Sequence, residues 1–216
     1  MRHIMRRHAD LWRRKDFLLS AVSGFLIFIG SLVVNYAAGT YASAKASNAV
    51  TDILLDILPT MNVEILFIEG FAIFACFLAT ILILQPKHLP FVLKSLGLFV
   101  LIRSFAMSLT HIGPSPEQTV LDAGRITNLL NFTGDLFFSG HTGTPFLMAL
   151  VFWRDRWLRI VFIGFSVLFA ATVLLGHLHY SIDVFAAYFV TYTIYRLACR
   201  FFRKDHALAQ DATDAR

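Results

Sequence analysis

The sequence predicts an all-α, polytopic membrane protein: a six-transmembrane helical bundle with both termini cytoplasmic. Three observations carry that prediction. The 216-residue chain is 57% hydrophobic with 22 Phe and has a mean hydropathy of +0.65, a composition that excludes an ordinary soluble domain. Six apolar segments approach the roughly 20 residues that a spanning helix needs. Lys and Arg gather in alternate connections, which assigns those connections to the cytoplasm.

Residues 1–16 form a basic cytoplasmic N-terminus with Arg2, Arg6, Arg7, Arg13, Arg14 and Lys15. The first span, Phe17 to Ala38, is longer than the about 7–15 apolar residues of a cleaved signal core, so it reads as a retained anchor. Spans two and three are Glu64 to Leu84 and Phe91 to Leu109. The fourth, Thr142 to Phe152, is short unless it starts within Asn131 to His141. Spans five and six are Trp157 to Leu175 and Ile182 to Phe201. Lys87 lies in the second connection, Arg154, Arg156 and Arg159 in the fourth, and Arg200, Arg203 and Lys204 at the end of the last span. The opposite connections hold little beyond Lys45 and Arg125. Loops one, three and five therefore face a periplasm, cell exterior or lumen. Residues 17–204 make one membrane domain, and the polar stretch 205–216 reads as a disordered cytoplasmic tail.

The net charge of +5 follows from this topology and from contact with anionic lipid, with no nucleic-acid partner required. Cys76 and Cys199 read as small apolar fillers, without a disulfide framework or a zinc motif. The many phenylalanines, with Trp153 and Trp157, read as lipid-facing and interfacial packing. In loop one, apolar residues at 50, 53, 54, 57 and 58 recur at helical spacing and Pro59 ends the run. This predicts an amphipathic helix along the membrane surface.

Chemistry concentrates at two places of matched depth. His179 and Asp183 stand four apart where loop five enters span six, so they share a helix face. A carboxylate beside an imidazole fixes its tautomer and raises its basicity, as a histidine nucleophile or base requires. His141 stands at the outer start of span four, in Ser139-Gly140-His141-Thr142. A glycine before a helix lets backbone approach a ligand, the first turn offers free N–H groups, and two hydroxyls flank the site, which suits a phosphate. Arg103, within the outer half of span three, needs an anionic partner: a lipid phosphate, or an ion pair with Asp135 or Glu69. Glu69, inside span two, is suited to a cationic headgroup or to Arg103. Ser139, Gly140, Thr142, Arg103, Asp135 and Glu69 are thus candidate substrate-binding residues. A metal site on His177, His179 and Asp183 is disfavoured, because residues 177 and 179 share a side only in extended chain.

Gly134 to Thr142, in the form GDLFFSGHT, closely resembles a signature of the sphingomyelin synthase family, and His179 to Tyr188, HYSIDVFAAY, resembles a second. Arg103 to Pro114 is a looser match to a third, and Asp52-Ile53-Leu54-Leu55-Asp56 is similar to the first-loop motif without its preceding prolines. The resemblance covers about residues 50–200. That family is a branch of the lipid phosphate phosphatase superfamily, whose typical phosphatases carry a Lys-rich and Arg-Pro first motif and an arginine before the nucleophilic histidine; here residue 176 is Gly.

The resemblance implies His179 as nucleophile, Asp183 as its polarising partner and His141 as acid and then base. It implies no cofactor or metal, a phospholipid donor, and ceramide, diacylglycerol or a similar lipid hydroxyl as acceptor. With water as acceptor the same residues make a phospholipase C-type hydrolase or a lipid phosphatase. A non-catalytic transporter or scaffold is the third expectation, against which the intact trio stands.

Overall fold

The computed structural model describes residues 10–119 and 136–211; Arg2, Arg6, Arg7, Arg125 and Asp135 lie outside the described residues. The elements in order are α1 (Lys15–Lys45), α2 (Glu64–Leu84), a 3₁₀ turn (Pro86–His88), α3 (Leu89–Leu109), α4 (Gly140–Val151), α5 (Arg156–Leu175), α6 (Ser181–Phe201) and α7 (Arg203–Gln210). Among the described residues there is no strand.

Four helical segments are long and apolar enough to cross a membrane: Lys15–Lys45, Glu64–Leu84, Pro86–Leu109 and Arg156–Leu175. The expected count of six depends on α4 and α6. The 12 residues of α4 rise only about 18 Å, short of the roughly 30 Å hydrocarbon core. Helix α6 has the length, 21 residues, but carries Asp183, Arg196 and Arg200.

Three local expectations change. α1 runs on to Lys45 rather than stopping at Ala38, since no proline interrupts that stretch. Loop one makes turns over residues 53–57 instead of a surface helix. Residues 203–210 form α7 rather than a disordered tail, with Asp205 and Ala209, four apart, buried on one face.

Helix α1 lies chiefly against α3, while α4 packs on both α5 and α6. Small residues set these distances. A Cβ on Gly97 would come within 2.7 Å of Ile27, so the α1–α3 crossing needs the glycine. α2 docks onto α5 through phenylalanines: Phe74 meets Phe162, Phe165 and Phe169 at centroid separations of 6.1, 5.5 and 6.2 Å in edge-on pairs, as ring quadrupoles prefer.

The end of the bundle remote from His179 is closed by a charged clasp. Lys94 of α3 donates to Asp205 of α7 and to the Ser20 hydroxyl of α1, both at 2.7 Å. Arg154 donates to the Gln210 carbonyl and Lys87 to that of Asp211, each at 2.8 Å. Helices α1 and α7 therefore meet at one end of the bundle.

Removing one partner of a buried ion pair costs about 3–5 kcal/mol, whereas replacing both with apolar groups is close to neutral. Lys94→Met or Asp205→Asn is accordingly expected to lower the thermal midpoint in detergent clearly. The double variant Lys94→Met/Asp205→Leu should recover most of that loss; a midpoint that stays low in the double variant contradicts the clasp.

Candidate active site

The start of α6 is built around Asp183. Tyr180 occupies the N-cap position and Asp183 the third position of the helix. The Tyr180 N–H donates to Asp183 Oδ2 at 3.1 Å, satisfying one of the orphan amides of a helix start. The same oxygen lies 3.3 Å from His179 Nδ1. Both side chains are buried. Opposite an ionised carboxylate, which only accepts, Nδ1 is the nitrogen that donates and Nε2 the one turned away from Asp183. Asp183 Oδ1 has no hydrogen-bond partner among the described residues.

His177 is in the left-handed region, at φ 51°, and this turns the chain so that the two histidines of loop five diverge. His177 Nε2 donates to the Leu58 carbonyl at 3.2 Å and Nδ1 is 3.4 Å from the Thr60 hydroxyl. It holds loop one and leaves His179 alone with Asp183. Among the described residues no group of three His, Cys, Asp or Glu is arranged to hold a metal ion.

α4 starts beside that pair. Ser139 is its N-cap, accepting the Thr142 N–H on its hydroxyl at 3.3 Å. The Ser139 N–H donates to the Asp183 carbonyl at 3.2 Å, which ties the two signature segments backbone to backbone. His141 then projects from the first turn. Its ring stacks on Phe67 at 3.9 Å and lies tilted on Phe71 at 4.4 Å, with Phe169 edge-on at 6.0 Å.

Arg103 is buried and its Nε donates to the Phe138 carbonyl at 3.0 Å. A Cβ on Gly140 would lie 3.2 Å from that Nε and 3.4 Å from Cζ. The glycine therefore lets the guanidinium lie against the first turn of α4, where positive dipole and arginine together favour an anion.

The candidates thus divide. His141, His179, Asp183, Arg103, Gly140 and Ser139 come together. Thr142 is buried beside them with its hydroxyl unpartnered among the described residues, while its carbonyl accepts from Ser166 at 2.8 Å. Glu69 does not join them: it is exposed, and stands two residues from both Phe67 and Phe71, so it takes the opposite face of α2. Among the described residues no ion pair joins it to Arg103. Asp135 lies outside the described residues.

Sequence reasoning passed over Phe67 and Phe71, which face His141 rather than lipid. Their four-residue spacing at the outer end of span two was the available signal. It also left Asp52 out of the site, although its carboxylate accepts the Ser181 N–H at 2.7 Å.

Ser139→Ala removes a helix cap worth about 1 kcal/mol, and should lower the midpoint accordingly. Thr142→Val removes a buried hydroxyl that has no partner, and is expected to be neutral or slightly stabilising in the absence of substrate. A large destabilisation by Thr142→Val in thermal melts contradicts this placement of its hydroxyl.

No curated protein and no solved structure gave a significant match to the chain. Residues 133–200 match the family model described as PAP2 superfamily C-terminal. The matched stretch contains His141, His179 and Asp183, and it supports the lipid phosphate phosphatase superfamily for this chain.

Proposed function

We propose that this protein is a membrane lipid phosphotransferase. It moves a phosphocholine or phosphoethanolamine headgroup from a phospholipid to ceramide or a similar lipid hydroxyl such as diacylglycerol, through a phosphohistidine on His179. The observation that carries the reading is the buried His179–Asp183 pair anchored through Ser139 to the helix that bears His141. The family match supports lipid phosphatase or phosphotransferase chemistry in general; the transferase assignment is the finer step.

In the first half-reaction the Nε2 lone pair of His179 attacks phosphorus and the bond to the diacylglycerol oxygen breaks. Protonated His141 gives its proton to that departing oxygen. Asp183 stabilises the imidazole as it gains positive charge. Arg103 and the first-turn amides of α4 meet the charge on the phosphoryl oxygens, so no metal has a step to perform. In the second half-reaction neutral His141 takes the proton of the acceptor hydroxyl, the new P–O bond forms, and the P–N bond breaks with its electron pair returning to Nε2. Water in the acceptor position gives a phospholipase C-type product from the same residues.

In this reading the chain crosses the membrane six times, both termini are cytoplasmic, and the histidines face the periplasm, exterior or lumen. The Ser20–Lys94–Asp205 clasp and the basic residues near it support this orientation, since they lie at the end away from His179. For α4 and the start of α6 to sit at membrane depth, their polar termini must be enclosed by protein.

Purified protein in lipid nanodiscs is to be given headgroup-labelled phosphatidylcholine or phosphatidylethanolamine, with and without ceramide or diacylglycerol. Labelled sphingolipid marks transfer; free phosphocholine or phosphoethanolamine marks hydrolysis. Phosphate released from phosphatidate alone marks a phosphatase. His179→Ala should abolish the activity, and Asp183→Asn should lower kcat by about 10²-fold or more. His141→Ala should lower both half-reactions, and Arg103→Lys, which loses the planar fork, should lower kcat by roughly 10-fold. Full activity in His179→Ala sinks the mechanism.

A further inference from the structure

A carboxylate of loop one reaches the first residue of α6. Asp52 Oδ2 accepts the Ser181 N–H at 2.7 Å, while Oδ1 accepts those of Leu54 at 2.9 Å and Leu55 at 3.2 Å. Ser181 is the first residue of α6, so the amide concerned has no acceptor inside its own helix. A negative charge at this point also complements the helix dipole. One side chain thus starts the turn of loop one and completes the start of α6.

Neighbouring contacts reinforce the junction. Leu55 is buried with Leu136 and Tyr180 in a small apolar cluster. The Tyr180 hydroxyl donates to the Gly113 carbonyl at 2.8 Å and accepts the Val50 N–H at 3.3 Å. The two residues that follow His179 are therefore both held by segments outside α6. By sequence, Asp52 and Asp56 are equal members of the same short motif. In the fold they differ: Asp56 is exposed and its carboxylate has no hydrogen-bond partner among the described residues.

We infer that Asp52 is a positioning residue for the nucleophilic histidine: its carboxylate pins loop one to the first turn of α6 and so fixes His179 against Asp183. The inference rests on the reading of His179 as nucleophile and deepens it. Asp52 touches no reacting atom. Its part is to keep the Ser181 amide bonded, so that the Tyr180–Asp183 turn stays closed and the 3.3 Å contact between His179 and Asp183 persists through both half-reactions. An error of about 1 Å in such a contact is enough to cost roughly 100-fold in rate.

The charge state supports this part. Partial burial pushes the Asp52 carboxyl up, but the Ser181 hydroxyl and amide and the Leu55 and Leu54 amides outweigh it and hold it below the ordinary carboxylate range. A carboxyl depressed in the fold contributes its stabilisation above its unfolded value, about 3.9, and loses it as pH falls through the folded value. Between pH 5 and 8 the anchor is constant.

The test uses the full chain in nanodiscs, with Asp52→Ala, Asp52→Asn and Asp56→Ala. Backbone hydrogen exchange over residues 179–184 needs no activity. Asp52→Ala should speed it by about 10-fold, with peptides from α4 and α5 unchanged. Turnover should fall by about 10- to 100-fold in kcat with KM within about twofold, by the same factor at pH 5 and pH 8. Asp52→Asn keeps an acceptor oxygen and should recover most of both readouts; Asp56→Ala should match the parent. Native exchange together with native kcat in Asp52→Ala overturns the inference. So does exchange accelerated throughout the bundle, which would make Asp52 a general scaffold residue. If the parent protein transfers and hydrolyses nothing, the functional reading fails, while the exchange data still decide whether Asp52 holds the His179 segment.

Discussion

The hydrogen bond from the Ser139 N–H to the Asp183 carbonyl is the constraint on which the rest of the site depends. It joins the N-terminus of α4 to that of α6 without using any side chain. Because Ser139 caps α4 and Asp183 closes the first turn of α6, this contact brings two helix starts to one level. His141 and His179 inherit their proximity from it. Arg103 follows from the same point, since it holds the carbonyl of Phe138, one residue before the cap. The α4–α6 approach continues downward through Gly143, where a Cβ would stand 2.8 Å from both Phe99 and the Thr191 hydroxyl. A larger residue there would force the two helices apart and stretch the contact at their tops.

Polar groups are distributed along the bundle by the same economy of solvation. In hydrocarbon an unpaired charge or amide is costly, so such groups are kept at the ends or paired with one another. At one end lie Lys94, Asp205 and Ser20; at the other lie the histidines, Asp183 and Arg103. Between them run phenylalanines that need no partner beyond each other. A reaction that moves a charged headgroup can be hosted only where helix starts, which carry free amides, supply polarity without adding net charge. The level of α4 and α6 set by the Ser139–Asp183 bond provides such a place.

The grouping of His141, His179 and Asp183 was legible in the sequence because helix periodicity and matched depth both act locally. Four-residue spacing predicts the His179–Asp183 contact, and the outer ends of two spans predict that His141 meets them. What escaped is what depends on packing between distant segments. The Asp52–Ser181 contact crosses most of the chain, so no spacing rule finds it. Phe67 and Phe71 looked like lipid-facing rings because a phenylalanine in a span has the same hydropathy on either face. Glu69 looked like a partner for Arg103, but a helix turns by about 100° per residue, and the face that serves His141 excludes it. Helix α7 escaped because its eight residues are polar on average, and it is Lys94 of α3 and Ser20 of α1 that bind Asp205 where it is buried.

The two histidines are held in different ways, and the difference bears on the chemistry proposed for them. His179 is fixed by bonds: to Asp183 directly, and through its neighbours to loop one and to the α4 cap. His141 is fixed by ring contacts to Phe67 and Phe71 of α2 and by a hydrogen bond to the Phe67 backbone, and α2 is the least buried of the four membrane-length helices. Apolar burial is non-directional, whereas a hydrogen bond weakens steeply with angle and distance. A nucleophile must return to the same geometry in each half-reaction, because the phosphorus it holds defines the site. The acid–base partner meets two different oxygens, one leaving and one arriving, which do not occupy the same point. A His179 fixed through α4, α6 and loop one, beside a His141 seated on α2 alone, suits the two-step transfer proposed for them.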